Sequence, residues 1–242
     1  MSFKREMPLA NAVFWTARKG NVTLLRLLLN SGRMDADCRD SVWSMNACQQ
    51  QLGTTALMVA SYCNHKDCVR ELILQGANIN IQRESGSTAL YFAAQQGNDT
   101  VVKFLLEYGA STELSTKDGA TPLSIASQYG HINVVETLLN RRCNVNIQLK
   151  DGATSLFLAA QGGHFNVVHM LLASGAKTEQ PRQDGSTPLF KAAYKGFTEV
   201  VRELLARSPS LGILKTEELP ADLTRNDRLI QQLQSKQRRS ES

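Results

Sequence analysis

Apolar positions along the chain recur in pairs of short helical runs. Segments such as TALYFAAQQG and TPLSIASQYG carry one run, and VVKFLLEYGA and VVHMLLASGA carry the next at helical spacing. A Gly-Ala and a polar stretch then lead to the following pair, so each unit predicts helix, turn, helix and a loop or hairpin. The period is constant. Gly53, Gly86, Gly119, Gly152 and Gly185 stand 33 residues apart, and a threonine follows each two places later. A second series, Asn64, Gly97, Gly130, Gly163 and Gly196, keeps the same step and closes the first helix. Glycine suits a left-handed helix end, where a β-carbon is penalised, and asparagine is the next choice.

These segments resemble the ankyrin repeat, with its Thr-Pro-Leu-His-x-Ala-Ala helix, Gly-His turn, Val-Val-x-x-Leu-Leu helix and Gly-Ala-Asp-x-Asn loop. The resemblance implies an all-α fold: an ankyrin-repeat solenoid of stacked helix-turn-helix units with β-hairpin or loop connections. Units start near Leu9, Gly53, Gly86, Gly119, Gly152 and Gly185. The expected organisation is an N-terminal lead (1–8), about six repeats (9–215) with an insertion near 42–52, a capping half-repeat (216–234) and a disordered basic tail (235–242). One repeat cannot bury its apolar face alone, so neighbours supply the core. The family's histidine after Thr-Pro-Leu is replaced here by Met58, Tyr91, Ser124, Phe157 and Phe190, so an aromatic or apolar contact is expected in its place.

The resemblance also implies a non-catalytic module for protein–protein interaction, an adaptor or scaffold that binds its partner on a concave face. The alternative is a regulatory subunit that inhibits or positions an enzyme. Residues 33 apart become neighbours on that face. Just before the turn the positions read Arg18 and Lys19, Tyr62 and Cys63, Gln95 and Gln96, Gln128 and Tyr129, Gln161 and Gly162, Tyr194 and Lys195. This is a glutamine ladder with tyrosines beside it and basic residues at both ends. Tyrosine offers large contact area and glutamine both donates and accepts hydrogen bonds. The competing reading is a solvated helix end, with Gln and Lys chosen for helix propensity. At the hairpin tips Lys117 and Lys150 are free to meet an acidic partner, while the aspartates beside them shape the turn.

The step from Gly20 to Asn64 is 44, so 11 extra residues lie there, one near Met34 and the rest in VWSMNACQQQ. Trp43 in that stretch is a candidate partner anchor. A tolerated loop insertion, or a splice or gene-model difference, competes with that reading because long surface loops cost little stability.

Composition narrows the picture little further. The net charge of +5 arises from 27 Lys and Arg against 22 Asp and Glu, and more than half of the surplus falls after residue 224. No basic stripe interleaved with aromatics runs through the repeats, which argues against nucleic acid as a partner. The five cysteines are odd in number and lack paired metal spacing, the histidines sit at structural repeat positions, and no glycine-rich phosphate loop is present. No enzyme activity, cofactor, metal or membrane span is expected. The partner is expected to be an unidentified protein or peptide, the chain a monomer, and its location cytoplasmic or nuclear.

Overall fold

A computed structural model describes residues 9–32, 34–40 and 53–207. Its helices alternate as first and second members of a pair: α1 (Leu9–Lys19), α2 (Val22–Asn30), α3 (Ala56–Tyr62), α4 (Lys66–Leu74), α5 (Ala89–Gln96), α6 (Asp99–Glu107), α7 (Pro122–Tyr129), α8 (Ile132–Asn140), α9 (Ser155–Gly162), α10 (Phe165–Ala173), α11 (Pro188–Lys195) and α12 (Thr198–Ala206). Two short strands, β1 (Arg39–Asp40) and β2 (Thr54–Thr55), pair antiparallel.

The two 33-residue series mark the two ends of each first helix. Thr55, Thr88, Thr121, Thr154 and Thr187 are N-caps whose hydroxyl oxygens accept the N–H three residues on, from Met58, Tyr91, Ser124, Phe157 and Phe190. Gly97, Gly130, Gly163 and Gly196 end these helices with φ of 74–78°, and Asn64 takes the same left-handed conformation at 61°. In the second helices the Val-Val and Leu residues are core. Val101, Val102, Leu105, Val134, Val135 and Leu138 are wholly buried. Facing alanines such as Ala93, Ala126, Ala159 and Ala192 are also at 0% exposure, and their small side chains let the first helices pack closely.

At Ser124 the expected aromatic or apolar contact is not what replaces the family histidine. Its hydroxyl accepts from Thr121 N–H at 2.8 Å while Ser124 N–H donates to Thr121 Oγ1 at 3.2 Å, a reciprocal capping box. A hydroxyl suffices because Pro122 already presets the first turn. Phe157 and Phe190 meet the expectation, at 1% and 3% exposure.

The chain divides into two compact units, Met1–Lys117 and Asp118–Ser242. In the first, α1 packs on α3 and α3 on α5, while α2, α4 and α6 pack in sequence beside them. Backbone register locates the insertion. Asp35 caps Asp37 N–H and the Asp37 carboxylate accepts Asn78 N–H; in the next repeat Asn78 caps Asn80 N–H and Asn80 Oδ1 accepts Ser111 N–H. Asp37 therefore stands where Asn80 stands. Asp37 and Gly53 are 16 residues apart where Asn80 and Gly86 are 6 apart, so ten extra residues lie there; the eleventh lies between Gly32 and Asp35. Asp40 pairs with Thr54, so the ten fall between these two positions along the sequence. Residues 41–52, Trp43 among them, lie outside the described residues, as do 1–8 and 208–242 with the predicted capping half-repeat and tail.

Glu71 on α4 is buried yet charged, and its partners explain why. Arg26 of α2 reaches Oε2 through Nε at 2.9 Å and Nη2 at 2.8 Å, and Gln75 Nε2 donates to Oε1 at 3.1 Å. The Arg26 hydrogen bond holds the Glu71 carboxyl below the ordinary carboxylate range, against the opposing effect of burial. A depressed folded-state pKa contributes stability above the unfolded value, about 4.3, that is lost as pH falls through the folded value. Glu71→Gln should therefore flatten the acid limb of a stability profile for the first unit while leaving its slope near neutrality unchanged. Thermal melts from pH 7 down to 3 report the difference.

In the second unit α7, α9 and α11 pack in order, with α8, α10 and α12 behind them. The hairpin tips join through main-chain bonds: Lys150 N–H donates to Asp118 O at 2.9 Å and Gln183 N–H to Asp151 O at 2.8 Å. The tip aspartates shape the turns as expected, Asp151 accepting Ala153 N–H and Asp184 accepting Ser186 N–H.

Candidate functional site

The pre-turn residues sit at the C-terminal ends of the first helices, and in α1, α3, α7 and α9 the following repeat meets that end. A helix end leaves carbonyls without intrahelical partners. In the first unit His65 Nε2–H donates to Arg18 O at 2.9 Å, and Asn98 Nδ2 donates to Ser61 O and Tyr62 O at 2.8 and 3.0 Å. In the second, His164 Nε2–H donates to Gln128 O at 2.9 Å, and the Phe197 ring covers Gly163 instead. The residue after one turn thus holds the main chain of the candidate residues one repeat earlier.

At Gly162, where the equivalent residues are Tyr129 and Lys195, a β-carbon would meet His164 Cδ2 and Nε2 at 2.5 Å. The imidazole stands at that β-carbon position and must shift to admit one, whereas at the equivalent Cys63 a β-carbon coexists with the His65 ring bonded to Arg18 O. Gly162 is helical, so alanine there would by itself favour the helix by about 0.5–1 kcal/mol. Gly162→Ala alone should destabilise the second unit; in a His164→Ala background the same change should stabilise it by about 0.5–1 kcal/mol. Urea titration of the four proteins of this cycle measures the sign reversal.

In the first unit Arg18, Lys19, Gln96 and Lys117 are exposed, whereas Gln95 and Tyr62 are half-buried. Tyr62 packs edge-on against Phe92 with centroids 6.2 Å apart, so its ring belongs partly to the core. Arg83 stacks over the other side of this cluster, its guanidinium 4.7 Å from the Phe92 centroid. In the second unit Gln128, Lys150 and Lys195 are exposed and Gln161 is half-buried. Tyr129 and Tyr194 are 51% and 53% exposed, an uncommon state for rings of that size. Tyr129 stacks on His131, and Lys191 Nζ lies 5.7 Å from the Tyr194 centroid.

One residue escaped the sequence reading. Trp15 is 43% exposed on α1, one turn before Arg18 and Lys19. Its repeat position is that of Val59, Phe92 and Ile125, which are buried, and of Leu158 and Lys191, which are half-buried, so register alone leaves its exposure open. The usable signal was the residue type, since tryptophan is the bulkiest occupant of that position.

Among the described residues Cys38, Cys63, Cys68 and Cys143 are not in disulfides. Burial, then the nearby Asp67 and Glu71 charges, push Cys68 up to about 11, which makes it a poor nucleophile. Among the same residues no group of three or more His, Cys, Asp or Glu could hold a metal ion, and no helix is long and apolar enough to cross a membrane.

The family model "Ankyrin repeats (3 copies)" matches residues 6–83, 68–149 and 141–215. The chain belongs to the ankyrin repeat family. Ankyrin repeat domain-containing protein 29 of Danio rerio is 67% identical over 84 residues, which are 35% of this chain and 25% of that protein. Its Homo sapiens counterpart is 65% identical over 83 residues, 34% of this chain and 24% of that protein. The matched stretch thus spans about a quarter of the length of these relatives. Among solved structures the human ASB11 ankyrin repeat domain is similar with a TM-score of 0.78 and 25% identity, covering 93% of this chain and 96% of that one. Ankyrin repeats are generally protein–protein interaction modules, and the family is generally non-catalytic.

Proposed function

We propose that the chain is an adaptor or scaffold that captures a protein partner on the C-terminal ends of its first helices. The observation that carries this reading is the pair of exposed rings, Tyr129 and Tyr194, at the C-terminal ends of α7 and α11, the former on a helix end whose Gln128 carbonyl is held by His164 of the next repeat. Exposed tyrosine on a rigid scaffold gives contact area at little entropic cost. In the second unit Gln128 and Lys195 add hydrogen-bonding groups next to these rings, with Lys150 at a hairpin tip; in the first unit Arg18, Lys19, Gln96 and Lys117 are the exposed candidates.

Proximity labelling in cells with the full chain and with Tyr129→Ala/Tyr194→Ala tests this reading. The double variant should lose the neighbours that the unaltered chain labels, while its circular dichroism and melting stay the same. An unchanged neighbour set in a folded variant would overturn the assignment. Tyr62 is left intact in this test because its contact with Phe92 makes its removal a stability change as well.

A further inference from the structure

Among the described residues the six first helices carry four cations, Arg18, Lys19, Lys191 and Lys195, and no carboxylate. The six second helices carry seven carboxylates, among them Glu71, Asp99, Glu199 and Glu203. Those four are already engaged: Glu71 by Arg26, Asp99 by Lys103 at 2.7 Å, Glu199 by Arg202 at 2.8 Å and Glu203 by His169 at 2.9 Å. Asp151, at a hairpin tip, is held by Arg182 at 2.7 Å. Among the described residues no ion pair engages Lys19, Lys191 or Lys195.

The cations are also placed alike. Gly20 and Gly196 are equivalent turn residues, so Trp15, Arg18 and Lys19 on α1 occupy the same repeat positions as Lys191, Tyr194 and Lys195 on α11. Within either helix, spacings of three and four residues set the members on one face. Each triplet therefore joins one exposed aromatic ring to two cations, with Trp15 at 43% and Tyr194 at 53% exposure. The helices between them hold only neutral residues at these positions, including Gln96, Gln128 and Tyr129.

We infer that the partner segment recognised by the first-helix faces is an acidic peptide, whose carboxylates meet Arg18 and Lys19 on α1, or Lys191 and Lys195 on α11, beside an apolar or aromatic side chain. This rests on the first-helix binding reading above and specifies its chemistry. First helices that lack carboxylates and carry cations with no ion pair at Lys19, Lys191 and Lys195 attract anions, although Lys191 also feels the Asp184 carboxylate at its hairpin tip. Nucleic acid is disfavoured because within each unit the neighbouring first helix, α3 with Tyr62 and Cys63 or α9 with Gln161 and Gly162, adds no further cation at these positions to track a phosphate backbone.

Panning a random dodecapeptide phage library against the full chain, then measuring fluorescein-labelled winners by anisotropy, tests the inference. The winners should carry net negative charge. Their affinity should fall about tenfold with Arg18→Glu/Lys19→Glu or with Lys191→Glu/Lys195→Glu, survive the matching Lys→Arg changes, and weaken as salt rises from about 0.05 to about 0.5 M. Trp15→Ala should weaken winners that depend on the α1 pair. Neutral or basic winners that Tyr129→Ala/Tyr194→Ala abolishes would overturn the acidic chemistry and leave the binding face standing. Acidic winners indifferent to both charge reversals and to the tyrosine changes would overturn both. Absence of any winner, or displacement of the winners by single-stranded RNA at lower concentration, would also overturn the inference.

Discussion

Gly86→Ala should destabilise the first unit by about 2–4 kcal/mol, the sum of a left-handed backbone penalty and forced repacking. Gly86 has φ of +86°, where an L side chain is strained. Its missing β-carbon also makes room for the next hairpin: an added methyl would stand 2.8 Å from Ser115 O and Thr116 Cα and 3.0 Å from Lys117 N. These are backbone atoms, and Lys117 N–H is bonded to Ser85 O at 2.7 Å, so the hairpins cannot part without losing that bond. Gly109 supplies the control. Its φ is +88°, yet nothing lies within 4 Å of its β-carbon position, so Gly109→Ala carries the backbone penalty alone, about 1–2 kcal/mol. The difference between the two variants in urea midpoint isolates the close approach of neighbouring hairpins. Equal shifts would mean that the approach relaxes freely.

Phe157→Ala is expected to cost about 3–5 kcal/mol, the range for emptying a buried aromatic site. The ring is 1% exposed on α9, the helix that packs against α7, α10 and α11 at once, and the Arg182 guanidinium lies 5.8 Å from its centroid. In a repeat array stability resides in nearest-neighbour interfaces, so one cavity at α9 weakens contacts on both sides. Amide exchange should rise across α9 and its neighbours together rather than at α9 alone. Phe165, the first residue of α10, is 39% exposed, and Phe165→Ala should stay within about 0.5 kcal/mol. A Phe157→Ala protein as stable as Phe165→Ala would show that the ring is not a core element.

Some of the candidate surface was legible from register and some was not. Tyr62 and Tyr194 hold the same repeat position, yet Tyr62 is half-buried and Tyr194 is 53% exposed. The cause lies in the neighbour: Phe92 on α5 offers Tyr62 an edge-on contact that the periodic pattern does not encode. Trp15 is exposed where Val59, Phe92 and Ile125 are buried, since α1 packs on a first helix, α3, on only one side among the described residues. At Gly162, beside Gln161 of the glutamine ladder, the His164 ring two residues along the chain stands where a β-carbon would go.

The repeat length, the alternation of helices, the threonine caps and the left-handed turns were determined by the sequence alone. Each depends on local chemistry that recurs every 33 residues: a hydroxyl that accepts a nearby N–H, or a residue that tolerates positive φ. Which rings stay exposed, which carbonyls the next repeat holds, where the ten inserted residues enter and which cations lack ion pairs were decided by tertiary structure. Those properties depend on which side chain the adjacent repeat presents, and residues 33 apart in sequence become contacts only once the repeats stack.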